Sequence, residues 1–208
     1  MTAEKIAIID YGMGNLHSVK RKLDLNKANS FITSSHKEIL EADKVVLVGV
    51  GHFKKAMTNL KELNLVDVLN EVVLVKRKPI LGICLGMALM TKTSEEGGLV
   101  DGLGWVDAKF KRFQFADTLR YKVPHTGWNE INFVKESELM KDIPNDSEFY
   151  FVHSYYCEAE DTECILNETE YGKVFTSAFE KDNIFGVQYH PEKSHDQGNQ
   201  LLTNFIRI

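Results

Sequence analysis

The sequence predicts an α/β fold: an open, mostly parallel central sheet with flanking helices, extended by antiparallel strands in the second half. Three observations predict it. The first half alternates short apolar runs with longer amphipathic ones, the pattern of strands joined by crossover helices. The runs at 5–9, 44–48 and 80–83 are apolar at nearly every position, as expected of strands covered on both faces. In the second half, strand-like runs follow one another with little but turn residues between them.

Taken in order, the strand at 5–9 leads into a Gly-rich turn and a helix at about 16–27. A short strand follows at 30–33. Ser35 caps a helical turn, with Glu38 three residues on in the capping-box position. The strand at 44–48 runs into Gly49-Val50-Gly51, and a helical region spans about 53–75 with a break near Asn64. Pro79 opens the strand at 80–83, and 85–90 has the length and Met/Leu content of a short helix. Further strands are predicted at 105–113, 128–134, 149–157, 173–179 and 184–189, with Glu180-Lys-Asp-Asn183 as a hairpin turn. A helix at about 197–206 closes the chain and buries Leu201, Leu202, Phe205 and Ile206 on one side. No repeat, low-complexity tract or linker interrupts the pattern, which predicts one domain over 1–208.

The 208 residues are 43% hydrophobic with a formal charge of -5. That composition supports a real core and argues against sequence-blind nucleic-acid binding, which needs a basic face. No apolar run reaches the roughly 18 residues of a membrane span, and the opening MTAEKIAIIDYG does not read as an export signal. The expected address is the cytoplasm. The three cysteines, Cys84, Cys157 and Cys164, are odd in number and lack C-x-x-C spacing, so neither a disulfide framework nor a structural zinc site is expected. Cys157 and Cys164 read as small core residues. No metal and no cofactor is expected.

Cys84 is different. Gly82-Ile-Cys84-Leu-Gly86 lies where a buried strand turns into a helix, the nucleophile-elbow pattern with Cys in place of Ser. The nucleophile then projects from the carboxyl edge of the sheet, where open α/β folds place ligands. The glycines are expected to make the tight turn and let substrate approach, and the helix N-terminus to favour a thiolate. A thiol nucleophile needs a base and the base an orienter. His190, in Gln188-Tyr-His190-Pro-Glu192, ends a predicted strand, and Glu192 two residues on would share its side in extended backbone. Cys84, His190 and Glu192 are thus nucleophile, base and orienter. The Gly-rich turns at Gly12 and Gly49 lack the third glycine of a dinucleotide loop. Gly49, Val50 and Gly51 are instead expected to complete an oxyanion hole with the N–H of Leu85.

These segments resemble class I (triad-type) glutamine amidotransferases, most of all the glutaminase subunits of imidazole glycerol phosphate synthases. The resemblance rests on Asp10-Tyr-Gly-Met-Gly-Asn15, Gly49-Val-Gly-His-Phe53, Gly82-Ile-Cys-Leu-Gly-Met87, Ser94-Glu-Glu-Gly97, Val123-Pro-His-Thr-Gly-Trp-Asn129, Phe151-Val-His-Ser-Tyr155 and His190-Pro-Glu-Lys-Ser194. It implies hydrolysis of glutamine to glutamate, with the ammonia passed to a docked (β/α)8-barrel synthase subunit in histidine biosynthesis. Free ammonia in neutral water is mostly protonated and no longer a nucleophile, so a sheltered route is part of the expectation. The resemblance also implies that Glu96, His153, Ser154 and Tyr155 hold the substrate's α-amino and carboxylate groups. It places Asn15, Trp128, Asn129, Tyr150 and Lys193 at the partner interface.

Two positions depart from the family pattern. Val48 stands where a proline usually precedes the loop, and Ala88 where a glutamine usually helps to bind substrate. With the H-P-E-K-S-H ending, they keep open a paralogue that supplies ammonia to a sugar amidotransferase in surface polysaccharide biosynthesis. Ala88 also leaves room for a subunit that is non-catalytic and only stabilises its partner. A stand-alone cysteine peptidase shares the elbow but gives no reason for the P-H-x-G-W-N segment.

Overall fold

The computed structural model of the protein describes residues 4–208. The first three residues, part of the segment read above for an export signal, lie outside the described residues. The first half builds β1 (Lys5–Ile9), α1 (Leu16–Leu25), β2 (Asn29–Thr33), α2 (His36–Glu41), β3 (Lys44–Gly49), α3 (Phe53–Glu62), α4 (Leu65–Asn70), β4 (Ile80–Cys84) and α5 (Leu85–Leu89). The second half adds β5 (Thr91–Ser94), β6 (Val100–Asp101), β7 (Val106–Arg112), β8 (His125–Glu130), β9 (Asn132–Phe133), β10 (Glu148–His153), β11 (Tyr155–Ala159), β12 (Ile165–Glu170), β13 (Val174–Lys181), β14 (Ile184–Val187) and α6 (His195–Arg207).

Strands β2-β1-β3-β4-β14 are mutually parallel and form the centre of the sheet. This is a doubly-wound order, whose ligand crevice opens beyond the carboxyl ends of the strands, where the order reverses beside β1 and β3. From β14 outward the sheet turns antiparallel through β13, β11 and β7. The apolar strands bury both faces. Ala7, Ile9, Val45 and Leu47 pack with α3 and α4 on one side. Ile6, Ile8, Val46 and Val48 pack with α1 and α6 on the other.

Several predicted boundaries shift for identifiable reasons. The break near Asn64 is real: Asn64 takes a left-handed φ of +53° between α3 and α4. The predicted helix to 75 then ends in a wider turn, Glu71–Val75, closed by Lys76 N–H on the Glu71 carbonyl at 2.8 Å. Ser35 caps α2 by accepting from Glu38 N–H. The reciprocal half of the capping box is replaced, because Thr33 Oγ1 donates to the Glu38 carboxylate.

The predicted strand at 149–157 is two strands. β10 pairs with β8, whereas β11 pairs with β7 and β13. Ser154 is the point where the chain leaves one sheet for the other. Val48 is buried in β3, between β1 and β4, and β3 continues to Gly49 opposite Cys84. A proline at 48 would remove an N–H donor from a mid-sheet strand. No helix among the described residues is long and apolar enough to cross a membrane.

Candidate active site

Cys84 ends β4 with φ +52° and ψ -107°. A side chain rarely adopts this conformation, which costs about 1–3 kcal/mol and persists only where packing enforces it. The enforcing contacts come from the flanking glycines. A Cβ on Gly86 would lie 1.6 Å from the Leu47 carbonyl oxygen, and one on Gly82 would lie 2.8 Å from Met87 N. The glycines therefore let α5 pack directly on β3 and fold back on β4. Neither lines the cavity in front of the thiol; their place is in the packing of the elbow.

That cavity measures about 270 Å³ and is lined by Cys84, Leu85, Ala88, Glu96 and the His153–Tyr155 turn among others. The volume falls below the roughly 300–1,000 Å³ of sites for drug-sized ligands and suits a single amino acid. Val50 and Gly51 form part of the wall, held beside the elbow by the pairing of Gly49 with Cys84. Leu85 N–H belongs to the first turn of α5, where amides lack intrahelical acceptors. Glu96 reaches across and accepts from Phe53 N–H, the first amide of α3, at 2.8 Å.

His190 is completely buried and outside the cavity lining. Its Nδ1–H donates to Glu192 Oε1 at 2.8 Å. The extended geometry expected for this pair is not the one present. Pro191 opens a single 3-10 turn over Pro191–Lys193, and the short turn brings the carboxylate back under the ring. His190 N–H donates to the Tyr150 carbonyl at 2.9 Å. Ser194 Oγ donates to the His190 carbonyl at 2.6 Å and accepts from Tyr150 N–H at 3.0 Å.

Burial lowers the His190 pKa, but the neighbouring Cys84 and the charge and hydrogen bond of Glu192 outweigh it and raise the pKa to about 10. The ring is therefore held as an imidazolium at neutral pH. The sign of the linkage follows. The stability gained from holding this proton is present below the unfolded histidine pKa of about 6.5 and is lost as pH rises towards 10. Glu192→Gln should lower the His190 pKa. Its melting curve should approach that of the unaltered chain between about pH 6.5 and pH 10. A constant offset across that window would contradict the assignment.

His153 is buried and neutral. Burial pushes its pKa down to about 3 and that of His125 down to about 4. His153 Nδ1–H donates to the Tyr155 carbonyl at 2.8 Å, which leaves Nε2 to accept from His125 Nδ1–H at 2.9 Å. The ring can stiffen the turn, but it offers no positive charge to a carboxylate.

Of the five expected interface residues, three come together. Trp128 and Tyr150 pair across β8 and β10 with ring centroids 6.0 Å apart, and Lys193 Nζ lies 5.4 Å from the Tyr150 centroid. Asn129 turns its amide to the Glu170 carbonyl. Asn15 caps α1 through Ser18 N–H. The sequence reading missed Gln188, whose Nε2 lies 3.8 Å from Cys84 Sγ. Its position two residues before His190 was the available signal. His195 was also missed as a site residue, and it stacks on Trp128 at 4.8 Å.

A model of the family described as glutamine amidotransferase class-I matches residues 7–208. The chain is 50% identical to imidazole glycerol phosphate synthase subunit HisH 2 of Methanococcus maripaludis, over 97% of this chain and 98% of that one. It is 47% identical to subunit HisH 1 of Campylobacter jejuni, over 98% and 100% of the two chains. Among solved structures, a glutamine amidotransferase from Thermotoga maritima superposes with a TM-score of 0.64. That match has 18% identity and covers 92% of this chain and 77% of the other.

Proposed function

The chain belongs to the class-I glutamine amidotransferases, and from that premise we propose that it is the glutaminase subunit of an imidazole glycerol phosphate synthase. The observation that carries the reading is Cys84 at the end of a cavity sized for one amino acid, with the buried His190–Glu192 pair near enough to feel its charge. The likeness to HisH subunits over nearly the full length supports the same assignment.

In this reading each residue takes a step. The Cys84 thiolate attacks the side-chain amide carbon of glutamine. The N–H of Leu85 and those of the Gly49–Gly51 loop stabilise the oxyanion. His190, already protonated, gives its Nε2 proton to the departing nitrogen, and ammonia leaves a γ-glutamyl thioester. The neutral ring then takes a proton from water, which attacks the thioester. Glutamate departs, and the thiolate and imidazolium are restored. Glu192 keeps the ring oriented and stabilises its charge.

At the other end of the substrate, Glu96 receives the α-ammonium. Because His153 is neutral, the α-carboxylate is held by the hydroxyls and backbone N–H groups of Ser154 and Tyr155. Ammonia passes to a (β/α)8-barrel partner docked over Trp128, Tyr150 and Lys193, with Asn15 and Asn129 at its margins. Tyr150 supports this placement, since its backbone bonds both His190 and Ser194. A reducing cytoplasm suits the three free thiols.

Purification with the barrel synthase subunit, followed by measurement of glutamine turnover, tests the assignment. Stimulation by that subunit with its ligand bound is expected. Stimulation only by a sugar amidotransferase would replace this reading with the paralogue reading. Ala88, which lines the cavity without a polar group, keeps that second reading in view. Ala88→Gln should restore an amide contact and lower KM for glutamine by about 2- to 10-fold with kcat little changed. A higher KM would show that the cavity has closed over the alanine.

A further inference from the structure

One buried polar group beside this site has no role in the mechanism above. Tyr11 follows β1 and is fully buried, and its hydroxyl has no hydrogen-bond partner among the described residues. Leaving such a group unmade costs about 1–3 kcal/mol, so its retention calls for an explanation. The residue is firmly placed. Asp10 N–H donates to the Thr33 carbonyl, Gly12 N–H donates to Asp10 Oδ1, and the Tyr11 carbonyl accepts from Asn59 Nδ2 at 2.9 Å. The ring reaches under the end of β3, where a Cβ on Gly49 would lie 2.0 Å from the hydroxyl oxygen. The hydroxyl thus touches the first residue of the loop expected to hold the oxyanion.

Few contacts hold the loop beyond Gly49. Val50 is 47% exposed between two glycines, and Gly51 has φ +125°. In a trans peptide the carbonyl and the N–H point to opposite sides, so a donor that fixes the Gly49 carbonyl also fixes the direction of the Val50 N–H. Resting on the glutaminase reading, we propose that Tyr11 is a positioning residue whose hydroxyl donates to the Gly49 carbonyl during turnover and so aims the Val50 N–H at the oxyanion. Burial and the neighbouring Cys84 charge push the phenol's pKa far above its ordinary value, which keeps the proton available for donation.

Tyr11→Phe tests this, with both chains assayed in complex with the barrel subunit. Removal of an oxyanion donor costs about 100- to 1,000-fold in kcat. Loss of its positioning group should cost about 10-fold or more, with KM for glutamine within about twofold. Because the hydroxyl is unpartnered at rest, Tm should stay level or rise. Alkylation of Cys84 by iodoacetamide, which reads the thiolate alone, should keep its rate. An unchanged kcat, a fall in Tm of several degrees, or slowed alkylation would each overturn the proposal. Absence of turnover in the unaltered chain would overturn the glutaminase reading and this proposal together. Loss confined to Tyr11→Phe isolates the hydroxyl.

Discussion

Cys84→Ala should remove glutamine turnover, with kcat down by about 10⁴-fold or more, while the fold persists. The thiol is only partly buried, and its loss opens no core cavity. Cys84→Gly should be equally inactive but more stable than the alanine variant. Both substitutions delete the nucleophile, but alanine keeps a side chain at φ +52°, and glycine does not. The strain at such a position is about 1–3 kcal/mol, partly offset by glycine's extra chain entropy of about 0.5–1 kcal/mol. A modest rise in Tm of the glycine variant over the alanine variant is therefore expected. Equal Tm values would mean that the elbow is not strained. Residual turnover near the unaltered rate would remove Cys84 from the chemistry.

Gly86→Ala should be among the most damaging single methyl additions in the chain. Its new carbon would lie 1.6 Å from the Leu47 carbonyl oxygen and 2.6 Å from the Leu47 carbonyl carbon. Both are backbone atoms of β3, between β1 and β4, so relief requires α5 to lift off the sheet. A loss of about 3 kcal/mol or more is expected, roughly 6–12 °C in Tm for a chain of this size. Because α5 carries Leu85 N–H, activity should fall further than stability alone explains. Gly98→Ala is the comparison. Gly98, unlike Gly86, has a positive φ, +98°, but nothing lies within 4 Å of the added carbon, and only the backbone cost of about 1 kcal/mol applies. Chemical denaturation of both variants separates steric exclusion from backbone strain. Similar losses in the two would contradict the packing role of Gly86.

What the sequence makes legible here follows from local signals. The apolar runs of β1, β3 and β4 announce a sheet buried on both faces because their apolar side chains meet a packed layer on either side. The elbow and the His190–Glu192 pair are close in sequence, so short-range geometry reveals them even where the turn type was misjudged. The remainder depends on tertiary placement. Nothing local to Phe151–Tyr155 marks Ser154 as the point where the chain changes sheet, because both flanking strands carry suitable side chains. β12 went unrecognised although Leu166 and Asn167 are fully buried, because its polar positions read as loop. Tyr11 and Gln188 gain meaning only when β1 and β14 are laid beside β3 and β4. That His153 is neutral follows from its packing against His125 and its burial, which no local signal announces.

The central claim is that this chain forms a glutamine-derived thioester at Cys84 to feed a docked partner. Alkylation with a glutamine-like chloroketone, in the presence of the ligand-bound barrel subunit, tests it most directly. One label per chain is expected, located on Cys84 by mass spectrometry, with turnover lost in proportion to labelling. Inactivation with the label elsewhere, or a Cys84 that stays unlabelled in a complex that turns glutamine over, would contradict it.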